Sequence, residues 1–419
     1  MTIRKLYFGD NLEILRGSVK DNSVDLIYLD PPFNSQRVYN AYVGSDAQVK
    51  AFDDTWQWTP ETVAVLDDIG RNHGHGMKGL LGSIGAVGGN DGLSAYLVMM
   101  AARLFELRRV LKNTGSVYLH CDPSAGHYLK VVMDSIFGVR NFRNCVIWKR
   151  TSAHSDTKGW GRIQDYILYY TMSDKYTWNK AYTGYSEGYL RKFFKHRENG
   201  RVFRVGDLMA AGTRAGDSGK PWRGIDPNER GNHWAIRRSF LNDPGVPENP
   251  LAALDYLDSI GRIYWPPKGK VPGLKRYLDE TRGAPVQDII LDIPPLSRNA
   301  KEKLGFPTQK PLALLERIIG VSSNAGDVVL DPFCGCGTAM EAAEKLGRQW
   351  VGLVVSLLAI ALSERRMREG FGRKAGFAFE VEGMPKDLGS ARELAMGKPD
   401  GGYRFRCWAC SLVGARPVG

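Results

Sequence analysis

The run Val24-Asp25-Leu26-Ile27-Tyr28-Leu29 limits the possible folds of this 419-residue chain more than any other stretch. It is almost continuously apolar and lacks the alternation of a strand with one wet face. It therefore reads as a strand buried on both sides, as in parallel sheets covered by helices. Parallel strands need crossover connections, so the rest of the chain must supply strands and helices in turn. The run ends in Asp30-Pro31-Pro32-Phe33, at the carboxyl edge of its strand, where open α/β sheets bind ligands. The two prolines stiffen the turn and donate no hydrogen bond, leaving its carbonyls free to accept. Asp30 adds a carboxylate acceptor, and Phe33 a flat face for stacking. Together these groups suit a planar ring with an exocyclic amine, such as the edge of adenine or cytosine. Taken alone, the tetrapeptide is equally compatible with an ordinary Pro-Pro turn.

The required alternation is present. Lys5–Phe8, Gly115–His120, Cys145–Trp148 and Asp165–Tyr170 read as strands, and Asn11–Arg16 and Tyr128–Phe137 as helices. Ser94 is expected to cap a helix running to Lys112, with Leu97, Met100, Leu104, Leu107 and Leu111 on one buried face. Residues 36–92 read as irregular. They hold Trp56, Trp58 and a glycine-rich tract, and form a long loop suited to act as a lid. His73 and His75 fall there; no cysteine or acid cluster completes a metal site, so they read as loop histidines and no metal is expected. The rhythm breaks between about 180 and 295 and returns at Pro307-Thr308-Gln309-Lys310-Pro311, which opens a helix through Ile319. The expected fold class is α/β, a doubly wound, mostly parallel sheet interrupted by an insertion. The expected segments are 1–180, 181–300, 301–385 and a tail from 386 to 419.

Composition argues for a water-soluble, globular chain: 43% hydrophobic and 24% charged residues, with no run near the ~20 apolar residues that span a bilayer. The start, MTIRKLYFGD, has no apolar signal core, so a cytoplasmic location is expected. The six cysteines are too scattered for a disulfide framework. A net charge of +12 favours a polyanionic partner. The excess is local, since Arg191 to Arg238 holds 12 Lys/Arg against 5 Asp/Glu. Basic residues interleaved with aromatics suit a phosphate-tracking surface. Lys220, Trp222, Arg223, His233 and Trp234 are the candidate contacts to the phosphates of that polyanion.

A second buried strand, Asp327–Leu330, ends in Asp331-Pro332-Phe333-Cys334-Gly335-Cys336-Gly337-Thr338. Thr338 and Glu341 match a capping box, Gly347 a helix C-cap, and Gln349–Val355 the next strand. A strand–Gly-x-Gly–helix unit brings backbone close to a ligand and aims helix N–H groups at it. Dinucleotide pyrophosphate is a poor fit, because Met340 replaces the third glycine of the fingerprint and Asp331 would repel it. Asp331 suits instead a ligand with a positive end, such as the α-ammonium of S-adenosylmethionine.

These two motifs in this order, about 300 residues apart, resemble the β class of amino-DNA methyltransferases, in which the catalytic motif precedes the cofactor motif and target recognition lies between. Gly9-Asp10-Asn11, Tyr118-Leu119-His120-Cys121-Asp122, Asn141-Phe142-Arg143-Asn144, Trp148-Lys149-Arg150 and residues 307–311 share the likeness. The resemblance implies a Rossmann-like sheet of permuted motif order, S-adenosylmethionine as cofactor and duplex DNA as substrate. It further implies methylation at N6 of a flipped adenine in a restriction-modification system. It assigns catalysis to Asp30, Pro31, Pro32 and Phe33, with Asp30 and the Pro31 carbonyl accepting from the amine and Phe33 stacking on the base. Asp331, Phe333, Gly335, Gly337 and Thr338 would cradle the methionine part of the cofactor, and Thr308 and Lys310 its carboxylate. Asp10, Asn11 and Asp30 complete the implied cofactor site.

Two alternatives stay open: an N4-cytosine enzyme, and a DNA-binding module with an impaired cofactor pocket. The second is motivated by Val354, which stands where the resemblance implies an acid for the ribose hydroxyls. Gln164-Asp165 and Asn144-Cys145 also depart from the family pattern. The lone Cys407-x-x-Cys410 pair has no partner pair. Phe405–Gly419 is similar to a linker that in some relatives leads to a nuclease-like domain, so a restriction-nuclease domain or subunit is an expected partner; a homodimer is a separate expectation. No nuclease activity of this chain is expected.

Overall fold

The apolar run at 24–29 is an inner strand of a nine-stranded sheet in the computed structural model. The structure describes residues 2–33, 38–43, 47–53, 55–88, 91–152, 158–238, 241, 243–267, 271–297, 299–385, 387–395 and 409. In chain order the first part supplies β1 (Arg4–Phe8), α1 (Asn11–Ser18), β2 (Val24–Leu29), the hairpin β3 (Val38–Val43) and β4 (Ala47–Asp53), α2 (Pro60–His73), α3 (His75–Gly88), α4 (Asp91–Val110), β5 (Leu111–Cys121), α5 (Pro123–Phe137), β6 (Phe142–Lys149) and β7 (Gln164–Thr171). The middle supplies β8 (Tyr182–Thr183), α6 (Glu187–Phe193), β9 (His196–Glu198), β10 (Arg201–Asp207), β11 (Met209–Ala211), β12 (Asn232–Trp234), α7 (Pro250–Ser259), β13 (Ile263–Tyr264), β14 (Gly273–Tyr277) and β15 (Ala284–Pro285). The last part supplies β16 (Ile289–Ile290), α8 (Leu312–Ser322), β17 (Val328–Asp331), α9 (Thr338–Lys345), β18 (Gln349–Val354), α10 (Leu357–Phe371), β19 (Glu380–Glu382) and α11 (Leu388–Ala395).

The sheet runs β16-β6-β7-β5-β2-β17-β18-β1-β19. From β5 through β19 its neighbours are parallel, and β7 lies antiparallel to both β5 and β6. The sheet is doubly wound, and the reason is visible in β2: Ile27 and Leu29 enter a core with Leu97, Leu104 and Leu129 of α4 and α5, whereas Leu26 and Tyr28 enter another with Leu315, Ile319 and Ala343 of α8 and α9. Successive side chains of a strand point to opposite faces, so a run apolar at both parities needs helices on both. No helix among the described residues is long and apolar enough to cross a membrane.

The chain divides into two units, Met1–Ala181 with Gln287–Gly419, and Tyr182–Val286. The first unit resumes before residue 300, because Ile289–Ile290 pairs with β6 as the edge of the sheet. In the second unit β13, β14, β10 and β9 form an antiparallel sheet.

Residues 60–88 are helical rather than irregular. Gly76, Gly79, Gly82, Gly85 and Gly88 recur every three residues along α3, and a Cβ at Gly85 would stand 2.6 Å from Ser94 Oγ of α4. Glycine disfavours an isolated helix, but here it permits close helix contact around buried Met77 and Leu81. Helix α4 begins at Asp91, so Ser94 is no cap; it is buried, and its hydroxyl donates to the Leu81 carbonyl. His73 ends α2 stacked on Phe105 at 3.6 Å, and His75 starts α3, so neither is a loop histidine. Cys407, Cys410 and the tail from 396 on, Ala409 apart, lie outside the described residues.

Candidate active site

Strands β2 and β17 are parallel neighbours, with Ile27 opposite Leu330. Their carboxyl ends therefore emerge at the same edge of the sheet, each carrying an aspartate followed by proline. Asp331 is 5% exposed, and its Oδ1 accepts from the Phe333 N–H at 3.0 Å. It has no ion pair among the described residues. Burial pushes its carboxyl up to about 8, with the Phe333 N–H and Lys310 opposing and Asp30 adding.

Asp30 has different surroundings. Its Oδ2 accepts from Nζ of Lys310, a residue 8% exposed, at 2.5 Å. The same ammonium lies 5.2 Å from the centre of the Phe33 ring. Asp30 Oδ1 is buried and has no hydrogen-bond partner among the described residues. A buried carboxylate oxygen left open costs stability, so it marks a place prepared for a donor from outside the chain. Together the two tips hold a buried carboxyl lacking a cation and a buried ammonium. That is the complement of an amino-acid group, whose ammonium and carboxylate carry opposite charges.

The turn after β17 is shaped by two glycines in the left-handed region, Gly335 at φ +49° and Gly337 at φ +80°. A Cβ at Gly337 would meet Met340 Cε at 2.8 Å. Helix α9 starts at Thr338 with Gly337 as its cap and no side-chain capping bond, so the expected Thr338–Glu341 box does not form. Glu341 instead pairs with Arg366. Gly347, at φ +74°, stands one residue past the helix cap Leu346. Thr308, two residues before Lys310, also has positive φ, +62°, a strained state for a β-branched residue.

Asp10 and Asn11 sit at the start of α1, on the same edge. Asp10 caps the helix by accepting from the Leu12 and Glu13 N–H groups, and also accepts from Arg103 Nη2 at 2.9 Å. Asn11 donates to the Pro332 carbonyl at 2.8 Å and accepts from Arg103 Nε. The structure thus uses Asn11 to tie α1 to the Asp331 tip. Val354 is buried and pairs with Phe8, and its carbonyl accepts from the Gly9 N–H.

In the sequence His120 stands in a shared motif that gives it no role, and Tyr28, Asp165 and Arg103 carry none either. His120 is fully buried, and its ring stacks against Phe33 at 5.9 Å and 22°. Its Nδ1 meets the Tyr28 hydroxyl at 2.9 Å, and its Nε2 meets Asp165 Oδ2 at 3.1 Å. Burial would raise the Asp165 carboxyl, but the His120 hydrogen bond, with Lys310 and Arg150 nearby, outweighs it and holds it below its usual value. An ionised Asp165 can only accept, so Nε2 donates and, in the neutral ring, Nδ1 accepts from Tyr28. The available signal was a pair of titratable residues on two strands otherwise buried, Leu119-His120 and Asp165-Tyr166, whose partnership only the β5–β7 pairing reveals.

The residues proposed for DNA contact fare differently. Trp222 and Trp234 are 5% and 2% exposed, and pack edge to face at 5.8 Å in the core of the second unit. Their indole N–H groups donate to Asp255 and to the Lys220 carbonyl. These two are corrected to core residues: an insertion of about 100 residues needs an apolar centre of its own. His233 bonds the Gly212 carbonyl, Lys220 pairs with Asp217, and Arg223 pairs with Asp258.

The model of the N6_N4_Mtase family, described as DNA methylase, matches residues 24–361. The type II methyltransferase M.EcaI of Enterobacter cloacae is 32% identical over 278 residues, 66% of this chain and 58% of that protein. The Mod subunit of the type III restriction-modification enzyme StyLTI of Salmonella typhimurium is 28% identical over 382 residues, 88% of this chain and 54% of the subunit. The chain thus spans a little over half the length of these relatives. Among solved structures, the PvuII DNA methyltransferase (cytosine-N4-specific) superposes with a TM-score of 0.44 at 12% identity, over 99% of this chain and 94% of its own.

Proposed function

This chain belongs to the N6_N4_Mtase family of DNA methylases, and on that premise we propose that it methylates the exocyclic N6 of an adenine flipped out of duplex DNA, using S-adenosylmethionine, within a restriction-modification system. The observation that carries the reading is Asp30 Oδ1, a buried acceptor with no donor among the described residues, at the tip of β2 next to Phe33. An exocyclic amine inside a duplex is out of reach, so the base must leave the stack. Phe33 then offers it a face, and Asp30 with the Pro31 carbonyl accepts its two hydrogens. An amine conjugated with its ring is a weak nucleophile. Two acceptors draw its nitrogen toward sp³ and stabilise the positive charge that grows there during transfer.

The cofactor, when bound, supplies a methyl group already activated on a sulfonium. Asp331 suits its ammonium and Lys310 its carboxylate, with Gly335 and Gly337 keeping side chains out of the way. Lys310 now sits on Asp30 Oδ2 and near Phe33, where a target amine would be received, so its withdrawal toward an anion clears the acceptor. Aligning the two reactants is the remaining task.

The relative named a Mod subunit supports a restriction subunit as partner, and a homodimer is a separate proposal that sedimentation tests. Action on chromosomal DNA would place the chain in the cytoplasm of a prokaryote. The test is incubation with DNA and labelled S-adenosylmethionine, followed by digestion to nucleosides. N6-methyldeoxyadenosine is expected. N4-methyldeoxycytidine would reverse the base assignment, and no label in DNA would sink the reading.

A further inference from the structure

We infer that Arg204 and Arg276, with Arg237 beside them, form a binding site for backbone phosphates of duplex DNA on the Tyr182–Val286 unit. The choice of DNA as the anion rests on the proposed function; the site itself rests on geometry. Arg204 of β10 stands directly opposite Arg276 of β14 in the antiparallel register. Like charges at opposed positions of a strand pair destabilise it, so this placement does not serve the fold.

The surroundings show that the unit could have paired Arg204 with a carboxylate. On the same strands Arg201 is held by Asp279 and Glu280, and Lys275 by Glu198; Arg262 before β13 takes Glu280 as well. Arg204 and Arg237 have no carboxylate ion pair among the described residues. Arg204 instead donates from Nη1 to the Tyr189 hydroxyl at 2.7 Å, while its Nε is buried without a hydrogen-bond partner. Burial first, and then Arg204 and Arg237, lower the Arg276 guanidinium from its ordinary value. Gly206 gives Arg276 its room: a Cβ there would stand 2.8 Å from Arg276 Cδ. Tyr189 is braced by Tyr185, whose ring stacks on it at 4.7 Å and 12°.

Mutually repelling, partly desolvated guanidinium groups braced by tyrosines gain most from an anion with several oxygens. The planar fork of arginine matches phosphate bidentately. This also locates part of the basic excess between Arg191 and Arg238: Lys220 and Arg223 are engaged by aspartates, and Arg204 and Arg237 are not.

The experiment is duplex binding by the full chain across a salt titration, for Arg204→Gln, Arg276→Gln and the double variant, beside Arg201→Gln. Each single change is expected to weaken binding roughly fivefold to tenfold whatever the DNA sequence, and to lower the salt slope by about one. The thermal midpoint should hold or rise, because repulsion is removed. Arg201→Gln should do the reverse, losing stability and keeping DNA affinity. Unchanged affinity and slope in the double variant would overturn the site, and would leave an acidic protein surface as the anion to examine. Methyl transfer by the unmodified chain together with that result would sink this inference alone. No duplex binding by the unmodified chain even at low salt would sink the proposed function with it.

Discussion

Two neighbouring parallel strands end in the same three residues, Leu29-Asp30-Pro31 and Leu330-Asp331-Pro332, and the two aspartates are electrically unlike. Asp30 has a buried ammonium on one oxygen and, among the described residues, no partner on the other. Asp331 has a backbone N–H and no cation, and its carboxyl is pushed up to about 8. The difference teaches that a strand-tip aspartate takes its role from what faces it. One, with an ammonium already on its other oxygen, is ready to accept from a neutral donor. The other, buried at a cost, is ready to ionise when a cation arrives.

The same substitution should therefore have opposite effects at the two tips. Asp30→Asn turns one of the two acceptor oxygens into an amide donor and strands Lys310 without its counter-charge in a largely buried position. Methyl transfer should fall about 10²- to 10³-fold, and stability by about 3 kcal/mol, read by labelled transfer and urea unfolding. A variant that keeps a tenth of its activity would remove Asp30 from the reaction.

Asp331→Asn should instead stabilise the cofactor-free protein. Between the ordinary carboxyl value of 3.8 and about 8, the native state holds a proton that the unfolded state has lost. Stability is therefore fully present below that window and declines as pH rises through it. The asparagine variant should flatten the decline, showing a higher thermal midpoint at pH 8 and about tenfold weaker binding of S-adenosylmethionine by calorimetry. A midpoint lower than that of the unmodified protein at pH 8 would erase the contrast between the tips.

His120 backs only the Asp30 side, through Phe33 and Tyr28. His120→Asn should lower kcat about tenfold while leaving cofactor affinity unchanged. A matched loss of cofactor affinity would show that the two tips are not separable. The smallest effect is expected at Thr308. Thr308→Gly relieves a φ of +62° and should change stability by less than about 1 kcal/mol, relief of strain and added chain entropy nearly cancelling. A large loss would mean that the threonine side chain itself anchors Lys310.

The inserted unit shows where reading the chain residue by residue falls short. Trp222 and Trp234 stand among basic residues in sequence, yet they fill the unit's core. The cations left without carboxylates among the described residues, Arg204 and Arg237, were not among the candidates. Sequence shows how much charge a segment carries; pairing depends on which side chains the strands bring opposite each other. The glycine-rich stretch at 75–88 misled for a related reason, since packing against α4 outweighed local propensity.

By itself the sequence determined the α/β class, the buried β2 and β17, the Asp-Pro tips and the Gly-x-Gly turn. These are local patterns, in which each residue's polarity and backbone freedom bear directly on its own position. Tertiary structure alone decided that Lys310 meets Asp30 across 280 positions, that Asp165 fixes His120, and that Asp331 is left without a cation. Coulomb energy and desolvation depend on distance and burial in space, and neither is written along the chain.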